Sequence, residues 1–264
     1  MKKLFLIQAM LLTGVLVASA TQAIDISGWS SIGNSGSLGA DGVVTAPPSG
    51  DAEYGWVSTD QGVNSVGLGL GSETNGSVIT SPLFSAGAGD LLEFYFNYVT
   101  SDGAGFADYG WAKLVDDADT DYALLFTART TDGGDTVPGF GMPALNATLD
   151  PAFTPIIAGG PVWAPLGSDS GACFDEGCGY TDWIKASFAI ADAGLYTLQI
   201  GVVNWNDKLI DSGMAFDGAT IAGEDIGNGG APVPEPSMML LFGTGIVSLV
   251  GARLTRKKNQ PLTV

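Results

Sequence analysis

The residues with the most chemical potential in this chain are carboxylates. Asp116-Asp117-Ala118-Asp119-Thr120-Asp121 is the densest charge run. Asp117, Asp119 and Asp121 alternate as hard oxygen ligands do around Ca²⁺, which makes them the candidate calcium ligands. An EF-hand loop would need a glycine where Tyr122 stands and a bidentate glutamate where Ala128 stands, so that motif is excluded. The competing reading is a solvated hairpin turn, because aspartate favours turns. A second oxygen-rich set is Asn204, Asn206, Asp207 and Asp211, with Asp217 further along.

Sugar recognition would instead use tryptophans beside Asp and Asn hydrogen-bonding groups. Trp163 and Trp205, in a loop or at a strand end, are the candidate carbohydrate-binding residues. Trp111 and Trp183 sit in strand patterns and are expected in the core. The chain has no histidine, which excludes Ser-His-Asp and Cys-His catalysis and His-ligated zinc. There is no G-x-S-x-G elbow and no Walker loop. Paired carboxylates could serve a glycosidase, but no spacing selects a pair, so the expectation is a protein without enzymatic activity.

The elements that position these residues read as strands. Leu91–Thr100 is aromatic and β-branched, with Leu92, Phe94, Phe96 and Tyr98 on one face. Tyr122–Thr127, Trp183–Ile190, Leu195–Asn204 and Met214–Ile221 are similar. Tyr54–Ser58, Ser65–Leu70, Val78–Phe84 and Ala107–Val115 are weaker candidates. The Gly67–Gly71 run falls within that pattern and marks close packing or a bulge. Short strands at this spacing predict an all-β fold, a two-sheet β-sandwich with a jelly roll as the expected topology. The stretch from Thr130 to Tyr180 is too long for an ordinary connection and is expected to pack over one end or face of the sandwich. Cys173 and Cys178 lie within it and should be joined once the chain leaves the cytoplasm, as a local staple.

The two ends differ from the body. Residues 1–23 read as a signal peptide: Lys2 and Lys3, an apolar run from Leu4 to Val17, then small residues. At the other end an apolar stretch from Met238 to Val250 is followed by Arg253, Arg256, Lys257 and Lys258. As a helix it is marginal for a membrane span, with the basic cluster on the cytoplasmic side. Between them, residues 24–231 hold 27 acids against 4 bases, a net charge of −23, while the whole chain stands at −18. Such a charge repels phosphate backbones, so nucleic acid is not an expected partner.

The C-terminal segment, with Pro234-Glu235-Pro236 ahead of the apolar run and the basic cluster behind it, resembles a PEP-CTERM sorting signal. The resemblance spans residues 232–258, leaving 259–264 as a tail. It implies a C-terminal transmembrane helix in the precursor, recognition and cutting by an exosortase at the inner membrane, and release of the mature protein. A permanent single-pass anchor is the alternative. The segments Tyr98–Asp108, Cys178–Thr181, Gly201–Trp205 and Asp211–Gly218 also resemble exported PEP-CTERM proteins with jelly-roll-like bodies of unassigned role, and jelly-roll modules often hold a structural calcium. The expected protein is therefore exported, held in the membrane as a precursor and found mature at the cell surface or in the extracellular matrix. Its expected role is structural or adhesive in the envelope or exopolysaccharide matrix of a biofilm. A carbohydrate-binding module is the alternative, and a carboxylate glycosidase a more remote one.

Overall fold

The structure is a computed structural model and describes residues 26–227. The expected signal helix, the transmembrane helix and the PEP box lie outside the described residues. Among the described residues, no helix is long and apolar enough to cross a membrane.

Eight principal strands build the body: β1 (Tyr54–Ser58), β2 (Glu73–Thr80), β3 (Leu91–Thr100), β4 (Tyr109–Asp116), β5 (Asp121–Arg129), β6 (Ile184–Ala189), β7 (Gly194–Trp205) and β8 (Ser212–Ile221). One sheet has the order β2-β7-β4-β5, with Ser30–Ile32 added beyond β2. The other has the order β6-β3-β8-β1, extended by Thr148–Asp150 beyond β6 and by Asn34–Leu38 beyond β1. The pairings within both sheets are antiparallel. The fold is an all-β, two-sheet antiparallel sandwich.

Alternation along the strands explains why the sheets close on each other. Leu92, Phe94, Phe96 and Tyr98 turn inward from β3 and meet Leu114, Phe126, Leu198 and Ile200 of the facing sheet. Phe96 and Phe126 stack across the core with ring centroids 3.8 Å apart. The alternate residues of β3, Glu93, Tyr95, Asn97 and Val99, therefore face outward.

Part of that outer face is covered by the long segment between β5 and β6. Trp163 and Leu166 of this segment are fully buried against Tyr54, Val99 and Ala215. Gly213 leaves space for the indole: a Cβ there would lie 2.4 Å from Trp163 Cζ3. The segment is thus a third layer, as its length suggested.

The structure departs from the sequence reading in three places. Ser65–Leu70 is not a strand; only Val63–Asn64 pairs with β2, and a loop follows. Gly67, Gly69 and Gly71 adopt φ of 127°, 75° and 108°, which breaks the extended run. The Glu73 carboxylate holds that loop by accepting the N–H groups of Leu70 and Gly71. Val78–Phe84 divides, because β2 ends at Thr80 and Phe84–Ala86 pairs with β7. Trp183 precedes β6 and is only half-buried, donating Nε1–H to the Thr45 carbonyl at 3.2 Å.

The two ends of the described chain are neighbours. A Cβ on Gly28 would lie 3.6 Å from the Gly227 carbonyl oxygen, and Ile226 is fully buried in the core against which Ile26 packs.

Candidate functional site

Two clusters of polar groups occupy opposite ends of β3. From Glu93 to Asp102 the chain advances roughly 25–30 Å at strand rise, so the two are separate sites.

The first is a pocket of about 390 Å³ on the outer face of the β6-β3-β8-β1 sheet, where the covering segment stops. Tyr95 lines it together with Ser49, Asp51 and Asp225, and Trp29 borders it from the core, where its ring stacks on Phe216 with centroids 5.5 Å apart. A β-bulge in β8 shapes the floor, because its pairing with β3 shifts register between Asp217 and Thr220. The bulge turns Asp217 and Gly218 to the same side while Phe216 and Ala219 stay in the core. Gly218 takes φ +61°, and a Cβ on it would meet Ser49 Cβ at 3.2 Å and Tyr95 Cδ2 at 3.3 Å. The Ser49 hydroxyl donates to Asp217 Oδ2, while Oδ1 of this fully buried residue has no partner. Burial, with repulsion from Asp51 and Asp225, pushes the Asp217 carboxyl up to about 7. Beside them Lys185 Nζ lies 2.6 Å from Glu93 Oε1, and this cation holds the Glu93 carboxyl below its ordinary range.

The second cluster is a buried acidic network at the far end. Asp108 is fully buried and accepts Trp205 N–H at 2.8 Å and the Ser212 hydroxyl at 2.7 Å. Burial and the nearby Asp102 raise its carboxyl well above the usual range. Asp102 is 1% exposed; Oδ1 accepts Gly103 N–H and Oδ2 has no partner. Burial, then Asp207, Asp169 and Asp211, push Asp102 up to about 7. Asp211 accepts the Thr59 hydroxyl at 2.8 Å and is pushed up to about 6, chiefly by burial. These bonds tie together the β3–β4 and β7–β8 loops and the chain after β1.

The candidate calcium ligands do not converge. Asp117 and Asp119 are exposed in the β4–β5 hairpin turn, with Asp119 at φ +61°, and Asp121 Oδ1 is ion-paired with Lys113 Nζ at 2.6 Å. Asp116 Oδ1 organises the turn by accepting the N–H groups of Ala118 and Thr120. Among the described residues, no group of three or more Asp, Glu or Cys side chains is placed to hold a metal ion. The second oxygen-rich set divides: Asp207 and Asp211 join Asp102, whereas β8 carries Asp217 to the opposite pole.

Trp163 is corrected from a surface residue to a core one: it is fully buried, and its Nε1–H donates to the Tyr54 hydroxyl at 2.9 Å. Trp205 is half-buried, edge-on to Tyr109, with the Arg129 guanidinium 4.5 Å above its ring. Cys173 and Cys178 form a disulfide with Cα atoms 5.5 Å apart. Their loop packs on the turn carrying Asp102, where Phe174 N–H donates to the Ser101 carbonyl.

Residues 232–257 match the PEP-CTERM protein-sorting motif. The chain carries a PEP-CTERM sorting signal. Pro234, Glu235, Pro236, Arg253, Arg256 and Lys257 fall within the match and Lys258 just beyond it; all lie outside the described residues. The motif implies that this chain is exported and processed by an exosortase. Compared by sequence with curated proteins, the chain finds no match. Its structure is distantly similar to an arabinose-bound α-L-arabinofuranosidase, with a TM-score of 0.36 and 8% identity. That alignment covers 78% of this chain and 24% of the enzyme, so the chain spans about a quarter of the enzyme's length.

Proposed function

We propose that this is a non-enzymatic protein of the cell surface or exopolysaccharide matrix, with a structural or adhesive role after an exosortase removes its C-terminal segment. The observation that carries the reading is the sorting motif at residues 232–257, following directly on a compact acidic sandwich. Strand orders β2-β7-β4-β5 and β6-β3-β8-β1 support a jelly-roll body, two interleaved Greek keys. Fractionation of cells expressing a chain tagged within the body tests this. The tag should appear at the surface or in the matrix, and Glu235→Ala with Arg256→Ala should leave uncut precursor in the membrane. Tag confined to the cytoplasm would sink the proposal.

A carbohydrate-binding role is the second reading, favoured by the pocket lined by Tyr95, Ser49, Asp51 and Asp225 rather than by Trp163 or Trp205. Exopolysaccharide is the partner it would serve. Retention of the purified chain on immobilised host exopolysaccharide, reduced by Tyr95→Ala, is the expected result.

A further inference from the structure

We infer that Asp102 and Gly103 close after folding into a cyclic imide, a succinimide that joins the Gly103 nitrogen to the Asp102 side chain. The modification lies at the pole opposite the pocket and is independent of the carbohydrate reading.

The reacting atoms are already together. Gly103 N–H donates to Asp102 Oδ1 at 2.7 Å, and among the described residues this nitrogen has no second acceptor. Asp102 Oδ2 is buried and without a partner. Rotation about the Cβ–Cγ bond therefore costs the carboxyl one hydrogen bond, the one to the attacking nitrogen itself. The nitrogen then attacks Cγ; the N–Cγ bond forms and the Cγ–Oδ2 bond breaks. Oδ2 leaves as water with the carboxyl proton and the amide hydrogen, so nothing is oxidised and no co-reactant is needed. The step requires the protonated carboxyl. Burial, with Asp207, Asp169 and Asp211 nearby, keeps that form populated up to neutral pH.

The fold selects this pair among the four Asp-Gly steps of the chain. Asp132 and Gly133 are exposed, where water is free to reopen an imide. Asp41 Oδ2 accepts Ala164 N–H at 2.7 Å and Asp217 Oδ2 accepts the Ser49 hydroxyl, so closure at either breaks a further bond. The exposed Asp175 and Asp182 also touch the next nitrogen, each at 2.8 Å, but Glu176 and Trp183 carry side chains that crowd it. Gly103 carries none, and a Cβ there would lie 2.5 Å from Asp175 Cβ. Closure also removes a buried oxygen without a partner and a charge that faces Asp207, Asp169 and Asp211. The Cys173–Cys178 loop covers the turn through the Phe174–Ser101 and Ala104–Glu176 backbone bonds, both 2.9 Å, and keeps water from the product.

The test incubates the folded full chain in mild detergent at pH 5 and maps it with pepsin in acid, where imides survive. The peptide holding Asp102 and Gly103 should be lighter by the mass of one water, and hydroxylamine should cut the chain between those two residues. The loss should be smaller at pH 8, and smaller in urea, where the fold no longer supplies burial. Asp132–Gly133 is the internal comparison and should keep its full mass. Asp102→Ala should abolish the hydroxylamine cut at this position. Unchanged mass of the parent peptide after incubation would overturn the inference. Equal loss in urea, or at Asp132–Gly133, would overturn it as well by assigning the chemistry to sequence alone. The parent chain carries these readouts, so they stand even where Asp102→Ala fails to fold.

Discussion

Trp163 and Tyr54 are joined across 109 residues of sequence by an indole N–H···O hydrogen bond of 2.9 Å, with both side chains fully removed from solvent. Tyr54 belongs to the sheet and Trp163 to the segment that covers it, so this bond and the ring beside it fasten the third layer. Burial raises the Tyr54 hydroxyl to about 12, which keeps it an acceptor with its own proton throughout the physiological range.

Trp163→Ala should cost about 3–5 kcal/mol, the range for deleting a buried tryptophan. Trp163→Phe should cost less, but it leaves the Tyr54 hydroxyl unpartnered at about 1–3 kcal/mol. Chemical denaturation of both variants checks the order. Equal stability of Trp163→Ala and the parent would remove the segment from the account of stability.

Gly213→Ala should destabilise although it adds only a methyl group, because the new Cβ would sit 2.4 Å from Trp163 Cζ3. Overpacking of this kind typically costs about 1–3 kcal/mol. The double variant Gly213→Ala with Trp163→Leu should recover part of that loss, and strict additivity of the two would contradict the contact.

Removing the disulfide by Cys173→Ser and Cys178→Ser should cost about 2 kcal/mol, since it closes a short loop. The variant should remain folded. Its hydrogen exchange should rise around Ser101–Ala104, where the loop packs, before it rises in the sheets. Uniform acceleration across the whole body would show a wider role.

Stability should fall as pH rises from about 4 to about 7, because Asp102 and Asp217 are raised to about 7 and Asp211 to about 6. In that window the folded state binds more protons than the unfolded one, so ∂ΔG/∂pH is negative. Each group contributes up to about 1.4 kcal/mol per pH unit while it titrates. The melting temperature should be higher at pH 5 than at pH 8, and Asp102→Asn and Asp217→Asn should each flatten the profile. A melting temperature that rises over this interval would refute the placement of these carboxyls.

The sheets were legible because period-two alternation is a local property. Leu91–Thr100 and Tyr54–Ser58 were read with the bounds the structure has. The sites were not, since they are assembled from distant positions by strand crossing. Asp102 reads as a turn residue in Ser101-Asp102-Gly103, and nothing nearby announces Asp169, Asp207 or Asp211 as neighbours. The pocket left one faint trace: Glu93 and Tyr95 interrupt an otherwise apolar strand at every second position, which marks an outer face only partly covered. Trp163 misled for the opposite reason, because a tryptophan among prolines reads as surface until the layer beneath it is known. Asp117, Asp119 and Asp121 alternate in sequence, but Asp117 and Asp119 stand exposed in the hairpin turn while Asp121 pairs with Lys113.

The adjacency of Gly28 and Gly227 has a mechanical consequence. Asp225, at the mouth of the pocket, is two residues from Gly227, and the sorting motif begins five residues beyond it. When tension runs between a ligand held in that pocket and whatever grips the C-terminal end, its path crosses one pole of the protein. The long axis of the sheets is bypassed. Force that would otherwise peel β8 from β3 and β1 is spent over a few residues, and the sandwich hangs beside the load instead of within it.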